Sequence, residues 1–441
     1  MAKTSLLPEQ PPALDPNDER FWDARDHEKE MRRTFEICHG CRMCVGYCGT
    51  FPDLFARIDH DIEKRGATGA EMLDDKAFKS ATELCWQCKL CYVKCPYTKD
   101  EGHEWQLDVP RLLMRDKAQR AKRDGITVQD RVLGEPQLLG RLTAGPQARV
   151  ANFVNANRLV RKAMSAVAGI AEQFPVPPFG ETSLAKWMAH HEPLPSAGTR
   201  GTVALFATCL CDYNFPRVGA AAVRVLEKNG WSVVRPEQTC CGMPNLDGGD
   251  VDAARDKARA NVASLLREVE QGRRIATLQP TCGYMLRKEW PELVGTEDAR
   301  KVAAAGIDVM ELLEAQRRDK TLVRDFERGL GKVAYHAACH LRAQKIGYPA
   351  LRVMNALPDT EVEVIEQCSA VDGTWGMKTQ HYEMGRRYAQ KLVRGVDQVG
   401  PAHVVSDCAL ASRRIEGESG HAPLHPVEAM AIAYGIALDV G

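Results

Sequence analysis

The chain has 441 residues, 44% hydrophobic and 27% charged, with 59 basic side chains against 59 acidic ones. That length allows two to four domains, and the balanced charge leaves no field to recruit nucleic acid or acidic ligands. Neither a membrane-spanning stretch nor an export signal is visible, so the sixteen cysteines read as metal ligands in a reducing cytoplasm rather than as disulfides.

Residues 1–25 are rich in Pro and Asp and are expected to form an extended arm. From Asp26 the run DHEKEMRRTFEI reads as a helix that delivers Cys38. Cys38, Cys41, Cys44 and Cys48 then form a Cys-x-x-Cys-x-x-Cys-x-x-x-Cys run, repeated by Cys85, Cys88, Cys91 and Cys95, with Pro96 after it. Between them, residues 51–84 read as helical. VPRLLMRDKAQRAKRDG should be a further helix, closed by Asp124 and Gly125. Steps of three, three and four let a short loop wrap one cubane, while the fourth cysteine, leaving on a helix, caps the neighbouring cluster. The expected pairing puts Cys38, Cys41, Cys44 and Cys95 on one [4Fe–4S] cluster, and Cys85, Cys88, Cys91 and Cys48 on the other. Two structural zinc sites are the alternative, but those normally use two knuckles split by a longer gap. The wide separation of the runs suits an α-helical ferredoxin domain, placed at residues 1–126.

Residues 127–198 form a connector rich in Pro and Gly at both ends. Phe153, Val160, Met164, Val167 and Ile170 lie on one expected helical stripe, surrounded by Arg149, Arg158, Arg161 and Lys162. Such a helix either lies on anionic lipid or packs its stripe on a neighbour.

From Thr199 strands and helices alternate, which implies two parallel-sheet α/β units, residues 199–330 and 331–441, in an α+β multidomain chain. GTVALFATC, WSVVRP and RRIATLQPTC read as strands of the first unit, and GKVAYHAAC, TEVEVIEQC and AHVVSDC as strands of the second. Helices are expected at 217–229, 250–271 and 380–399. The units also repeat in sequence, with Cys209, Cys241 and Cys282 matched by Cys339, Cys368 and Cys408. Each of these cysteines follows an apolar strand, so strand C-termini should bring thiolates to one point, where open α/β sheets place their ligands. The first unit is well supplied, with Cys209, Cys211, Cys240, Cys241 and Cys282, two of them side by side before Gly242. The second has three cysteines; either they hold a cluster with one iron open, or His336, His340 or His381 completes the set. His336 and His381 read as ordinary hydrogen-bonded side chains, and His340, beside Cys339, stays open as a ligand.

These residues resemble the CCG-domain family, whose unit reads Cys…Cys-Cys-Gly…Cys-x-x-Cys. The family includes the B- and D-type subunits of heterodisulfide reductase and the iron–sulfur C subunit of anaerobic glycerol-3-phosphate dehydrogenases. The whole chain is similar in layout to the latter: ferredoxin domain, VPRLLMRDKAQ helix, connector and two CCG units. The resemblance implies Cys209, Cys240, Cys241 and Cys282 as ligands in the first unit, and Cys339, Cys368 and Cys408 in the second. It also implies one further iron–sulfur cluster, cubane or non-cubane, in the CCG units. Met285 and Ala411 stand where the last cysteine of each motif belongs, and Gln367 where the second unit's pair begins. Cys211 is a candidate replacement for the cysteine missing at Met285. In heterodisulfide reductase, complete units hold the non-cubane clusters that cleave a disulfide, and neither unit here has a full set.

No Gly-x-Gly-x-x-Gly joins a strand to a helix, GLGK at 329–332 is too short for a phosphate loop, and no Ser–His–Asp arrangement stands out. The expected function is an iron–sulfur electron-transfer subunit, relaying electrons between a partner, such as a flavin dehydrogenase, and an acceptor such as quinone. A disulfide, thiol or quinone reductase acting at the CCG cluster is the alternative, and a zinc scaffold is the third reading. The expected location is the cytoplasm, with peripheral contact to the cytoplasmic membrane face as an option.

Overall fold

The computed structural model describes residues 6–440. The chain divides into two compact units: residues 1–131 with 245–253, and residues 132–244 with 254–441.

The first unit is helical. Helix α1 (Ala24–Cys41) starts where the Asp23 carboxylate accepts from the amides of Arg25 and Asp26, and it buries His27, Met31 and Phe35 along one face. Helix α2 (Thr50–Arg65) buries Phe51, Leu54, Phe55 and Ile58 and stops at Gly66 in the left-handed conformation. Helix α3 (Asp75–Leu84) is capped by Asp74, and a short helix α4 (Leu90–Lys94) follows it. Helix α5 (Val109–Asp124) is capped by Asp108 and has Pro110 in its first turn, where no amide partner is lost. A buried polar web ties these helices together. The Asp116 carboxylate accepts from Thr82 Oγ1 at 2.8 Å and Arg120 Nε at 2.7 Å, and lies 3.1 Å from His27 Nε2. The expected arm does not persist to residue 25: Glu19–Trp22 form a 3₁₀ turn, Phe21 is buried, and Arg115 Nε donates to its carbonyl at 2.8 Å. An aromatic side chain on a Pro- and Asp-rich segment gains more from burial than from water. Residues 1–5, also assigned to that arm, lie outside the described residues.

The second unit holds two parallel sheets. Strands β1 (Gly201–Phe206), β2 (Trp231–Val234), β3 (Ile275–Thr277) and β4 (Gly306–Asp308) lie in the order β2-β1-β3-β4. Gly201 faces Trp231 and Ala204 faces Ile275. Strands β5 (Gly331–His336), β6 (Thr360–Ile365) and β7 (His403–Ser406) lie in the order β6-β5-β7. Gly331 faces Thr360 and Val333 faces His403. The second sheet thus repeats the strand plan of the first, a central strand between the next two, which is the pattern of crossover α/β units. Strand β4 had no signal in the sequence, because three residues are too few to show periodicity. Both repeats share one apolar core, in which Leu205, Val225, Leu226 and Leu313 pack with Val333, Tyr335, Val353 and Met430.

The connector departs from its expected form. Its stripe is split between two helices, Ala148–Ala156 and Arg158–Ala168, because Asn157 is extended and caps the second through its side-chain oxygen. Phe153 and Val167 are 77% and 83% exposed, whereas Ile170 is buried, so the five residues do not share a face. Arg161 is no surface cation either. It is buried and donates to the carbonyls of Ala171, Glu172 and Phe174, closing the turn after its own helix.

Candidate metal centres

In the first unit the cysteine runs sit at helix ends. Cys38 and Cys41 lie in the last turn of α1, which Arg42 closes in the left-handed conformation by donating its amide to the Cys38 carbonyl at 2.8 Å. Cys85 caps α3 and Cys95 caps α4; between them Gln87 and Lys89 also take positive φ. Tight reversals of this kind bring successive cysteines of one run onto one side. Cys38, Cys41, Cys44 and Cys95 line one pocket, walled by Ile37, Phe55 and Leu107. Cys48, Cys85, Cys88 and Cys91 line another, walled by Trp86, Val109 and Leu113. Each run thus gives three thiols to one pocket and its fourth to the other, with Phe51 lining both.

Burial pushes the Cys44 and Cys48 thiols up to about 12, and raises Cys38 and Cys91 well above the usual range. Neighbouring thiolates add to each shift. Four crowded sulfurs in an apolar pocket ionise together only against a compensating positive charge, and iron supplies that charge. The donor set fits an iron–sulfur group. Gln87 Nε2 also lies 3.5 Å from Cys85 Sγ, a donor aimed at sulfur of the kind that tunes such groups.

In the second unit, Cys209, Cys240, Cys241 and Cys282 of the first repeat and Cys339 and Cys408 of the second line one cavity of about 450 Å³. The rest of its wall is largely apolar, with Leu139, Val154, Met164, Ile170 and Phe179 from the connector. The Cys240–Cys241 turn is pinned from several sides. The Asn261 side chain accepts from Thr239 N at 2.9 Å and donates to the Cys240 carbonyl at 3.1 Å. Trp290 Nε1 donates to the Cys241 carbonyl at 2.9 Å, and the Cys240 amide donates to Gln137 Oε1 at 2.7 Å. Gly242 holds φ +91°, and a Cβ there would stand 3.0 Å from the Ala254 carbonyl oxygen, so glycine is the residue that fits. Contacts from the Cys209 and Cys241 thiols stabilise the Cys240 thiolate and pull it well below its ordinary range. The same contacts, with burial, hold Cys209 and Cys241 well up.

Cys211 is placed differently. A π-helical turn, Leu210–Asn214, turns it into the apolar core, where Gln279 Nε2 lies 3.6 Å from its sulfur, and it is not among the cavity-lining residues. Met285, at the position of the missing cysteine, is also buried.

In the second repeat, Cys339 begins the helix Cys339–Ala343, and Cys408 precedes the helix Ala409–Ser419. Cys368 accepts from the Ala370 amide at 3.2 Å and does not line the cavity. Burial pushes Cys408 up to about 11 and raises Cys339 well above its usual range. His336 is buried, which lowers it to about 4, and its Nδ1 lies 2.9 Å from Ser406 Oγ. His381 stacks on Trp375, ring centroids 4.4 Å apart. His340 also lines the cavity: its Nδ1 lies 2.9 Å from Thr281 Oγ1, and its ring stacks on Tyr284 of the first repeat. Asp372, which no sequence signal beyond an Asp-Gly turn marks, also lines the cavity.

Both the cysteine-rich repeats and the helical unit have counterparts among known proteins. The Cysteine-rich domain family, CCG, matches residues 203–287 and 333–410, and the Citrate utilization protein B Fer4-like domain matches residues 31–123. The chain is 27% identical to the C subunit of anaerobic glycerol-3-phosphate dehydrogenase from Escherichia coli (strain K12), over 71% of this chain and 80% of that protein. It is 30% identical to lactate utilization protein A of Geobacillus kaustophilus, over 40% of this chain and 74% of the relative. It is also 28% identical to the B subunit of fumarate reductase (CoM/CoB) from Methanothermobacter marburgensis, over 52% of this chain and 45% of the relative.

Proposed function

We propose that the chain, which belongs to the CCG-domain iron–sulfur proteins and is an electron-transfer subunit of an oxidoreductase, relays electrons between a flavin dehydrogenase partner and an acceptor such as quinone. The observation that carries this reading is the pair of four-thiol pockets, each fed by both cysteine runs. Cys38, Cys41, Cys44 and Cys95 would hold one [4Fe–4S] cluster, and Cys48, Cys85, Cys88 and Cys91 the other. Cys209, Cys240, Cys241 and Cys282 would hold a further iron–sulfur group, and Cys211, in the core beside Gln279, would serve to set its surroundings. Bound clusters supply one-electron transfer over a wide range of potentials. The protein's part is to keep the sulfurs in apolar pockets and to aim amide donors at them.

The test is a stepwise reductive titration of anaerobically purified chain followed by EPR, with iron and sulfide analysis. Two ferredoxin-type signals and about eight irons from the first unit are expected. Zinc without sulfide would end the reading.

A second reading, a disulfide, thiol or quinone reductase, is favoured by the cavity that gathers four first-repeat thiols behind an apolar wall. Turnover of a heterodisulfide or a quinone by reduced chain alone would establish it. Peripheral contact with a cytoplasmic membrane face is supported by the exposed Phe153, Leu159 and Val167 beside Arg149, Arg158 and Lys162. Among the described residues no helix is long and apolar enough to cross a bilayer. Co-sedimentation with anionic vesicles, reduced by Phe153→Ser and Leu159→Ser together, checks this contact.

A further inference from the structure

The two four-thiol pockets of the first unit differ in what faces their sulfurs. Gln87 and Lys89 belong to the lining of the Cys48, Cys85, Cys88 and Cys91 pocket and are only 5% and 3% exposed. They are joined in series: Lys89 Nζ donates to Gln87 Oε1 at 2.6 Å, and Gln87 Nε2 lies 3.5 Å from Cys85 Sγ. A buried ammonium therefore stands one side chain behind a cysteine sulfur and polarises the amide aimed at it. The backbone amides of Thr50 and Phe51 add bonds to Cys48.

The Cys38, Cys41, Cys44 and Cys95 pocket is lined instead by Ile37, Met43, Phe55 and Leu107, with no ammonium or side-chain amide among its lining residues. The Tyr97 hydroxyl bonds to Cys41 there. Arg33 bears on Cys38, but both oxygens of the Glu30 carboxylate hold its guanidinium, at 2.8 and 2.6 Å, and offset its charge.

Local backbone preference does not explain why Gln87 and Lys89 stand where they do. Both hold a left-handed φ, +54° and +63°, which glycine adopts freely and longer side chains do not. Lys89 is also the N-cap of α4, where the helix dipole favours an anion. Side chains kept against such preferences point to a use for their polar ends. A buried ammonium is stable only beside negative charge, and the thiolates of this pocket carry that charge.

We propose that Lys89, a positioning residue acting through Gln87, gives the Cys48, Cys85, Cys88 and Cys91 pocket the higher reduction potential of the two, so that it is the first to be reduced. The inference rests on the reading of both pockets as cluster sites. Reduction adds negative charge within the ring of sulfurs, and a nearby cation favours that charge. At an effective dielectric of about 20, a unit charge at about 7 Å shifts a one-electron equilibrium by more than tenfold. The deeper burial of Cys48, Cys85 and Cys88 acts against the added charge, and the same dry wall strengthens the pull of the ammonium.

The experiment steps the potential of the full chain, purified without oxygen, and follows EPR, with iron and sulfide counted for each protein. The wild type is compared with Lys89→Met, Lys89→Arg and Gln87→Leu, none of them β-branched, so the left-handed backbone is burdened no further. Of the two ferredoxin-type signals, Lys89→Met should weaken reduction of the higher one about tenfold, or about 59 mV for one electron, and leave the lower one in place. Lys89→Arg should stay within about twofold of the wild type, and Gln87→Leu should weaken the same signal about threefold. With iron content full, an unmoved pair of potentials overturns the proposal, as does a shift in the lower signal alone or an equal shift in both. Should Lys89→Met lose iron, Gln87→Leu decides, and an unmoved potential in that protein overturns the assignment. A wild type without two such signals overturns the cluster reading itself, and this inference with it.

Discussion

In the first repeat β1 runs between β2 and β3, and in the second β5 runs between β6 and β7, so each sheet sends equivalent strand ends toward the same cavity. What stands at those ends differs. The first repeat gathers contacting thiols around a glycine turn pinned by Asn261 and Trp290. The second offers fewer sulfurs, and places His340 and Asp372 beside Cys339. The backbone plan therefore sets where donors arrive, while the donor atoms set which inorganic group they suit.

The sharpest challenge to that contrast is Cys241→Ser. It should remove the first-repeat centre, a loss of about four irons per chain, and abolish any turnover at the cavity, while EPR signals from the first unit persist. Full iron retention would show the first repeat to be no richer in function than the second.

A second test concerns the clasp between the repeats. His425 accepts the Val427 amide on Nδ1, capping the second repeat's helix Pro426–Ala433, and Nε2 donates to the Leu278 carbonyl of the first, 2.8 Å away. Burial lowers His425 to about 4, so the folded state stays neutral while the unfolded chain takes up a proton near 6.5. Its share of stability is therefore complete above pH 6.5 and is lost as pH falls toward 4, by about 3 kcal/mol. His425→Asn keeps a capping oxygen and removes the titration. Denaturant midpoints at pH 7 and pH 5 should then move closer together than in the wild type.

Gly242→Ala should cost about 2 kcal/mol, because the residue must hold a left-handed φ against the Ala254 carbonyl. Chemical unfolding measures it. In the second repeat the left-handed φ falls one residue later, at Ala370 (φ +47°), whereas Ser369, at the position matched to Gly242 in sequence, is not among the positive-φ residues, and Ser369→Ala should stay within about 1 kcal/mol of wild type. Equal costs at the two positions would mean that the turns are alike after all.

Much of the fold was legible because helices α1, α3 and α5 carry side-chain caps, α2 ends at a left-handed glycine, and every described strand except β4 is an apolar or alternating run leading toward a cysteine. The connector misled because its stripe was read through Asn157, whose side chain was free to start a new helix. Cys211 is a candidate by count, as a replacement for the cysteine missing at Met285, yet a π-helical turn places it in the core.

Cysteine spacing and strand order are properties of neighbouring residues, and they were sufficient to place a ferredoxin-like domain ahead of two cysteine-rich repeats. The pairing of His340 with Thr281, its approach to Asp372, and the burial of Arg161 were decided only by the packed structure. Those contacts join segments whose local sequences carry no record of each other, and packing at close density fixes which side chains meet.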